Sequence, residues 1–333
     1  MSTVAIAGAG LAGRLFAWAL ARQGHRVSVF DPAPDAAARG AAAFTAAGML
    51  SPLAELESTD ADLAALGWTS LRLWPAIAPE QLRREGSLLL AHRSDHGAAQ
   101  RVLARIGRFE TLDRAALQRL EPALAPGLLG WHLSGEGCID APAALTHLAT
   151  ASAEWCWGQR VESVEPGRLC LADGRTVEAD WAIDARGLGA GRPLRGVRGE
   201  IVTLELPGAH GLQRPLRLLH PRQPVYLVPR GPERLLVGAS EIESEDRSAM
   251  SLRSAVELMA AAHSVLPALA EARIALLDVN LRPALPDNRP LVHCEPGLLR
   301  LNGLYRHGWL LAPALVQQLL RQSQLGDLPE EAQ

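Results

Sequence analysis

The segment from Val4 to Asp31 restricts the fold more than any other part of the chain. It consists of a short apolar run, the turn Gly8-Ala9-Gly10-Leu11-Ala12-Gly13, a helical stretch ending near Gln23 and a strand from His25 to Phe30. In such a turn the first glycine permits the bend, the second lets the backbone approach a pyrophosphate, and the third allows close helix–strand packing. The helix N-terminus then faces the phosphates, and the acid after the second strand accepts a hydrogen bond from a ribose. The segment predicts a dinucleotide site, which FAD and NAD fit equally.

A second pattern distinguishes between these two cofactors. A hairpin around Asp173-Gly174 leads into the buried strand Ala179 to Ala185, which ends in Arg186-Gly187. This resembles the second signature of FAD-binding oxidoreductases. Gly187 and Gly189 could begin a second dinucleotide loop. Such a loop cannot form here, because Arg192 takes its third glycine position and Pro193 prevents a full helical turn. The sequence therefore predicts FAD, without a separate NAD(P)H site.

Composition removes several other kinds of function. All 33 basic residues are arginine, so neither a Schiff-base lysine nor the lysine of a P-loop is present. A net charge of −3 gives no long-range attraction to nucleic acid. We expect no signal peptide, no membrane span and no metal site. The four cysteines are far apart in sequence, and we interpret them as buried thiols of a cytoplasmic protein.

Three further segments resemble the D-amino-acid oxidase superfamily of FAD-dependent oxidoreductases, and together its glycine oxidase branch. In that family the small residues of Thr45 to Pro52 let the backbone reach the flavin edge, and the hairpin Tyr226 to Ser240 brings Tyr226 into the active site. The third segment, Leu281 to Pro313, ends in a loop that opens a C-terminal helix, whose positive end faces the flavin pyrimidine in the family. The resemblance extends from Val4 to about Leu320.

This resemblance implies FAD-dependent oxidative deamination of a small amino acid, with glycine giving glyoxylate, ammonia and hydrogen peroxide. It also implies non-covalent FAD, oxygen as the second substrate and a role in thiamine biosynthesis. Arg282 is expected to hold the substrate carboxylate, with the Tyr226 hydroxyl assisting and Arg306 bordering the same pocket. The expected cofactor contacts are Gly8, Gly10, Leu11, Ala12, Gly13, Asp31, Pro32, Thr45, Ala46, Ala47, Gly48, Met49, Val161, Gly187, Leu304, Tyr305, Arg306, His307, Gly308, Trp309 and Leu310.

The expected fold class is α/β, with a Rossmann-like FAD-binding domain of the glutathione-reductase type and a discontinuous α+β substrate domain built on an antiparallel sheet. The family plan assigns residues 1–77, 137–196 and 281–333 to the FAD-binding domain. It assigns residues 78–136 and 197–280 to the substrate domain. The tail after Leu325 is expected to fray.

Several alternatives stay open. Sarcosine, other N-alkyl glycines or D-amino acids could replace glycine as substrate, and an accessory flavoprotein could pass electrons to a partner or quinone. Glu241 is either a pocket residue that disfavours acidic substrates or a solvated turn residue. His220 and His307 either tune the flavin or are loop histidines with solvent or backbone partners. The sequence does not determine the oligomeric state, although a homo-oligomer is compatible with it.

Overall fold

Two large β-sheets organise the computed structural model, which describes residues 1–57, 59–220 and 224–330. The helices of these ranges are α1 (Leu11–Arg22), α2 (Pro52–Glu55), α3 (Ala61–Ile77), α4 (His96–Ile106), α5 (Arg114–Leu120), α6 (Ala141–Leu148), α7 (Leu252–Val265) and α8 (Gly308–Gln322).

The strands are β1 (Thr3–Ala7), β2 (Arg26–Asp31), β3 (Met49–Leu50), β4 (Leu82–Arg83), β5 (Ser87–Ala91), β6 (Glu110–Leu112), β7 (Leu129–Leu133), β8 (Gly137–Ile139), β9 (Glu154–Trp157), β10 (Val161–Glu165), β11 (Arg168–Leu171), β12 (Thr176–Glu178), β13 (Trp181–Asp184), β14 (Arg195–Glu205), β15 (Leu216–Leu218), β16 (Val225–Pro229), β17 (Arg234–Gly238), β18 (Arg273–Ala284), β19 (Leu291–Glu295) and β20 (Leu298–Asn302).

The first sheet is six-stranded, with the order β19-β20-β13-β1-β2-β9. Strands β20, β13, β1, β2 and β9 run parallel, and β19 is antiparallel to β20. Because successive strand residues point to opposite faces, Val4 and Ile6 pack against α1 and α8, whereas Ala5 and Ala7 pack against the small sheet β10-β11-β12. Helices on one face and a small sheet on the other confirm the expected α/β class.

The second sheet is eight-stranded, with the order β18-β14-β17-β16-β15-β5-β7-β6. All its pairs are antiparallel except β15 with β5. Helix α7 covers one face through Leu258 and Val265, which pack with Val202 and Val237. The opposite face carries Tyr226 in a cluster that also contains Ala47. Ala47 belongs to the segment Thr45 to Pro52, which is predicted to reach the flavin edge and which we call the predicted flavin loop. This face is therefore the one turned toward the first sheet's glycine-rich end.

Strands of the two sheets alternate along the chain. The residue boundaries of the two expected domains remain a prediction. Strands β14 and β18 each span one of those boundaries, at 196/197 and 280/281. Residues 331–333 of the last predicted segment lie outside the described residues.

Two expectations from the sequence are wrong. The chain after Leu325 does not simply fray, because Leu328 is buried in the core beside α1 and α8, and Asp327 accepts a hydrogen bond from Arg321 Nε at 2.7 Å. Of the four free cysteines only Cys138 is buried, and the other three are half-buried. Burial raises the pKa of the Cys138 thiol.

Among the described residues, no helix has the length and apolar character that crossing a bilayer requires. No group of three or more His, Cys, Asp or Glu side chains within the same ranges is arranged to hold a metal ion.

Candidate active site

One cavity of about 1280 Å³ extends from the glycine-rich turn to the inner face of the eight-stranded sheet. Ligand pockets in proteins commonly measure roughly 300–1,000 Å³, so this cavity is large enough for a dinucleotide and a small substrate. Its walls contain every residue that the sequence assigns to catalysis or cofactor binding except Gly13. The cavity thus brings together segments that are far apart in the chain.

The glycine-rich turn has the geometry that a dinucleotide requires. Gly8 has a φ of +99°, and a Cβ there would lie 2.5 Å from the Ala185 carbonyl oxygen. A Cβ on Gly13 would lie 1.8 Å from the carbonyl oxygen of Gly8, so Gly13 serves helix packing. By contrast, a Cβ on Gly10 would meet only Ala41, at 3.7 Å. The space above Gly10 is open, as the backbone approach of a pyrophosphate requires.

Asp31 is fixed at the carboxyl end of β2. The backbone N–H groups of Ala9 and Ala33 donate hydrogen bonds to its carboxylate at 2.6 and 2.8 Å. This places the carboxylate on the cavity wall beside the glycine-rich turn. Such a position fits the ribose-binding role that the sequence predicts.

The predicted flavin loop is held close to the substrate sheet. Gly48 has a φ of +61°, and a Cβ there would lie 2.1 Å from the carbonyl oxygen of Ile139. The Asn280 amide donates to Thr45 Oγ1 at 3.3 Å, and the Arg230 guanidinium donates to the carbonyl of Ala47. Neither anchor was predicted from the sequence: Asn280 lies just outside the segments that resemble the family, and Arg230 lies within the hairpin Tyr226 to Ser240 but contacts Ala47 across 183 positions.

Helix α8 opens into the cavity at Gly308, and His307 is its N-cap residue. The Trp309 indole donates to the Ala43 carbonyl at 3.2 Å, which ties the helix start to the loop before Thr45. The first N–H groups of a helix have no partner within the helix and carry a partial positive charge. This end of α8 can therefore stabilise negative charge on a group bound in the cavity.

Two glycines make room for the predicted substrate-binding side chains. The Arg282 guanidinium lies across Gly199 of β14, where a Cβ would be 2.5 Å from Arg282 Cζ. The Tyr226 ring lies across Gly238 of β17, where a Cβ would be 2.6 Å from the hydroxyl. Arg282 Nη1 donates to the Ser240 carbonyl at 3.1 Å. Burial raises the pKa of Tyr226, so its hydroxyl is a proton donor at neutral pH.

An ionic network with a buried centre borders this pocket, and two of its members, Glu55 and Arg217, were not predicted from the sequence. The Glu55 carboxylate lies 2.6 Å from Arg217 Nη2, 2.7 Å from Arg306 Nη2 and 3.4 Å from His307 Nδ1. Arg306 Nη1 also lies 3.2 Å from Glu241 Oε2. Arg306 is thus bound to two carboxylates, whereas Arg282 donates to backbone carbonyls.

This network sets the charge of its titratable members. Burial would raise the pKa of Glu55, but Arg217, Arg306 and His307 outweigh it and hold that pKa well below its usual range. Burial lowers the pKa of His307 to about 4, and the neighbouring Arg306 and Arg217 act in the same direction against Glu55. At neutral pH Glu55 is therefore ionised and His307 is neutral.

Of the three residues whose roles the sequence leaves open, Glu241 and His220 have surroundings different from those of His307. Glu241 lies on the cavity wall with a half-exposed carboxylate that bonds both Arg306 and the Tyr305 hydroxyl. Burial raises the pKa of Tyr305, and Glu241 adds to that shift. His220 is not on the cavity wall, and its neighbours Pro221 and Arg222 lie outside the described residues.

Comparisons with known proteins identify the family of the chain. A family model described as "FAD dependent oxidoreductase" matches residues 3–320. The chain is 39% identical to "Putative thiamine biosynthesis oxidoreductase ThiO" of Rhizobium etli, over 96% of this chain and 95% of that protein. It is 27% identical to "Glycine oxidase" of Geobacillus kaustophilus, over 93% and 89% of the two chains.

Solved structures give the same picture for the fold. The crystal structure of glycine oxidase from Geobacillus kaustophilus matches with a TM-score of 0.83 and 26% identity, covering 99% of this chain and 97% of that one. The crystal structure of iminodiacetate oxidase from Chelativorans matches with a TM-score of 0.80 and 26% identity, with the same coverage.

Proposed function

The chain belongs to the FAD dependent oxidoreductase family, and from this premise we propose that it is a glycine oxidase. Similarity over nearly the whole chain to proteins named glycine oxidase supports glycine as the substrate. The name of the Rhizobium etli relative supports a role in thiamine biosynthesis. In the proposed reaction glycine, oxygen and water give glyoxylate, ammonia and hydrogen peroxide.

The arrangement of Arg282 and Tyr226 is the observation that carries this proposal. The Arg282 guanidinium faces the cavity and donates to the carbonyls of Ser240 and Arg198 rather than to a carboxylate, so its charge is available to an anion. A guanidinium matches a carboxylate in two parallel hydrogen bonds. The Tyr226 hydroxyl can donate a third bond. These groups fix the substrate carboxylate and thereby orient its Cα–H bond.

Arg306 has a different proposed role. Because Glu55 and Glu241 already bind its guanidinium, we assign it to the pocket wall and not to primary carboxylate binding. The charged groups of this network line the cavity that Arg282 also lines. A charged wall is a poor environment for an apolar side chain and therefore favours a substrate without one.

FAD, when bound, would supply the two-electron oxidant of the reaction. The chain's own contribution is the glycine-rich turn, the carboxylate of Asp31, the small-residue loop from Thr45 to Met49 and the N-terminus of α8. The last of these would offer partial positive charge to an anionic cofactor bound in the cavity. We propose that FAD is held without a covalent bond. A cytoplasmic location is also proposed, because the four described cysteines are free thiols.

A substrate screen tests this function. FAD-loaded protein is incubated with glycine, sarcosine, iminodiacetate and a panel of D- and L-amino acids, and hydrogen peroxide is measured. We expect the highest kcat/KM with glycine. A clear preference for sarcosine or iminodiacetate would replace glycine with an N-substituted glycine. Absence of peroxide with all of them would refute the oxidase assignment.

A further inference from the structure

Arg14 is a buried arginine that the proposed chemistry does not use. It follows Gly13 in α1, and only 1% of its surface is exposed. Its guanidinium donates to three backbone carbonyls, of Ala9 at 2.7 Å, of Leu145 at 2.7 Å and of Ala36 at 2.8 Å. The guanidinium also lies over the rings of Phe44 and Trp157, at 5.4 and 5.7 Å from their centroids.

The charge of Arg14 lacks the partner that other buried arginines of this chain have. Arg186, Arg198, Arg214 and Arg217 are also largely buried, and they form ion pairs with Asp184, Glu200, Glu121 and Glu55, respectively. Within the described ranges, no carboxylate forms such a pair with Arg14. Burial lowers its pKa, and the more distant charge of Asp31 only partly offsets this. A buried charge without a counter-ion is costly.

Arg14 has the same bonding pattern as Arg282 at the opposite end of the cavity. Both line the cavity and both donate to backbone carbonyls rather than to carboxylates. Arg282 is the proposed anchor of the substrate carboxylate. By the same reasoning, we expect the uncompensated charge of Arg14 to bind an anion at the glycine-rich turn.

The position of Arg14 identifies that anion. Its Nε bonds the carbonyl of Ala9 inside the glycine-rich turn, and Asp31 accepts from the N–H of the same residue. This turn and the N-terminus of α1 are where a dinucleotide pyrophosphate binds. We propose that Arg14 is the counter-charge for the pyrophosphate of FAD and acts as a binding residue through its positive charge.

This inference depends on FAD binding and not on the identity of the amino-acid substrate. Its test is therefore a binding measurement on the full-length chain after removal of FAD. Isothermal titration gives the dissociation constants of FAD, ADP and adenosine. Because adenosine lacks phosphate, the difference between ADP and adenosine gives the contribution of the pyrophosphate to the affinity. Arg14→Gln removes the charge but keeps amide donors, and Arg14→Lys keeps the charge but loses the directed bonds.

We expect Arg14→Gln to weaken FAD and ADP binding by on the order of 10- to 100-fold, the effect of losing one charge-assisted interaction. Adenosine binding should change by less than about threefold. Arg14→Lys should retain most of the preference for ADP over adenosine. The control is Arg22→Gln, because the exposed Arg22 lies on the same helix, over the Trp18 ring, and should leave all three affinities unchanged.

Other outcomes would overturn the proposal. Equal weakening of ADP and adenosine in Arg14→Gln would mean that Arg14 only ties loops together. Unchanged ADP binding in that variant would mean that its charge is irrelevant. If Arg14→Gln fails to fold, as thermal melting would reveal, Arg14→Lys decides: loss of its preference for ADP contradicts the role of charge, and retention supports it.

Discussion

Removing the Arg282 guanidinium should abolish most activity on glycine while leaving FAD bound. The guanidinium donates to the carbonyls of Ser240 and Arg198, so its removal breaks no ion pair within the described residues. The main loss is then the interaction with the substrate carboxylate. Removing one partner of a buried, hydrogen-bonded charge pair costs about 2–5 kcal/mol, or roughly 30-fold to several thousand-fold.

The assay is kcat/KM for peroxide release by Arg282→Ala with glycine, together with the flavin content. Arg282→Lys should recover little, because an ammonium group cannot form the two parallel bonds. Arg273→Ala is the matched control, since Arg273 lies at the exposed end of the same strand β18 and should behave as wild type. If Arg282→Ala oxidises glycine within a few-fold of wild type with FAD bound, the carboxylate does not bind at Arg282.

The packing of Arg282 provides a second way to disturb the same contact. Gly199→Ala would place a Cβ 2.5 Å from Arg282 Cζ and displace the guanidinium without removing it. We expect this variant to raise the KM for glycine at least about tenfold, because a displaced guanidinium can no longer form two parallel hydrogen bonds with the substrate carboxylate. An unchanged KM would contradict the proposed position of the bound carboxylate.

Three other variants test separate parts of the site. Gly10→Val should fold but retain no FAD, because a Cβ there comes no closer than 3.7 Å to another side chain and the valine would fill the space over the turn; a stable, fully flavinated variant would contradict this. Glu55→Gln should lower the free energy of unfolding by about 3 kcal/mol in urea titrations, since Arg217 and Arg306 lose a buried partner. Because the folded pKa of Glu55 is depressed, this stabilisation should be fully present above about pH 4.3 and disappear only as the pH falls through the folded pKa. Glu241→Gln should increase kcat/KM for iminodiacetate relative to glycine a few-fold, because Arg306 then has donors for a second carboxylate; an unchanged ratio would remove Glu241 from the substrate pocket.

Parts of the fold that depend on neighbouring residues could be predicted from the sequence. The dinucleotide-binding segment from β1 to Asp31 follows from local patterns, because its strand, glycines, helix and acid are consecutive in the sequence. The turn into α8 is similarly visible as a continuous run from Gly303 to Pro313. These segments supply most of the predicted cofactor contacts on the cavity wall.

The ionic network and the burial of Arg14 could not be predicted, because they depend on contacts that are distant in sequence. Glu55 is separated from Arg217 by 162 positions and from Arg306 by 251. Arg14 bonds the carbonyl of Leu145, which is 131 positions away. One signal was available for Arg14, since it interrupts the apolar run from Leu11 to Ala21 directly after the glycine-rich turn. The same long-range packing explains the error at Leu328.

The central claim, that bound FAD oxidises glycine held by Arg282, is tested most directly by mixing the FAD-loaded protein with glycine in the absence of oxygen. The yellow absorbance of the flavin should bleach with glycine and return when oxygen is admitted, with one peroxide released per flavin. Arg282→Ala should stay yellow on the same timescale at the same glycine concentration. Flavin that stays oxidised in the wild-type protein at saturating glycine, or that bleaches equally fast in Arg282→Ala, would contradict the account.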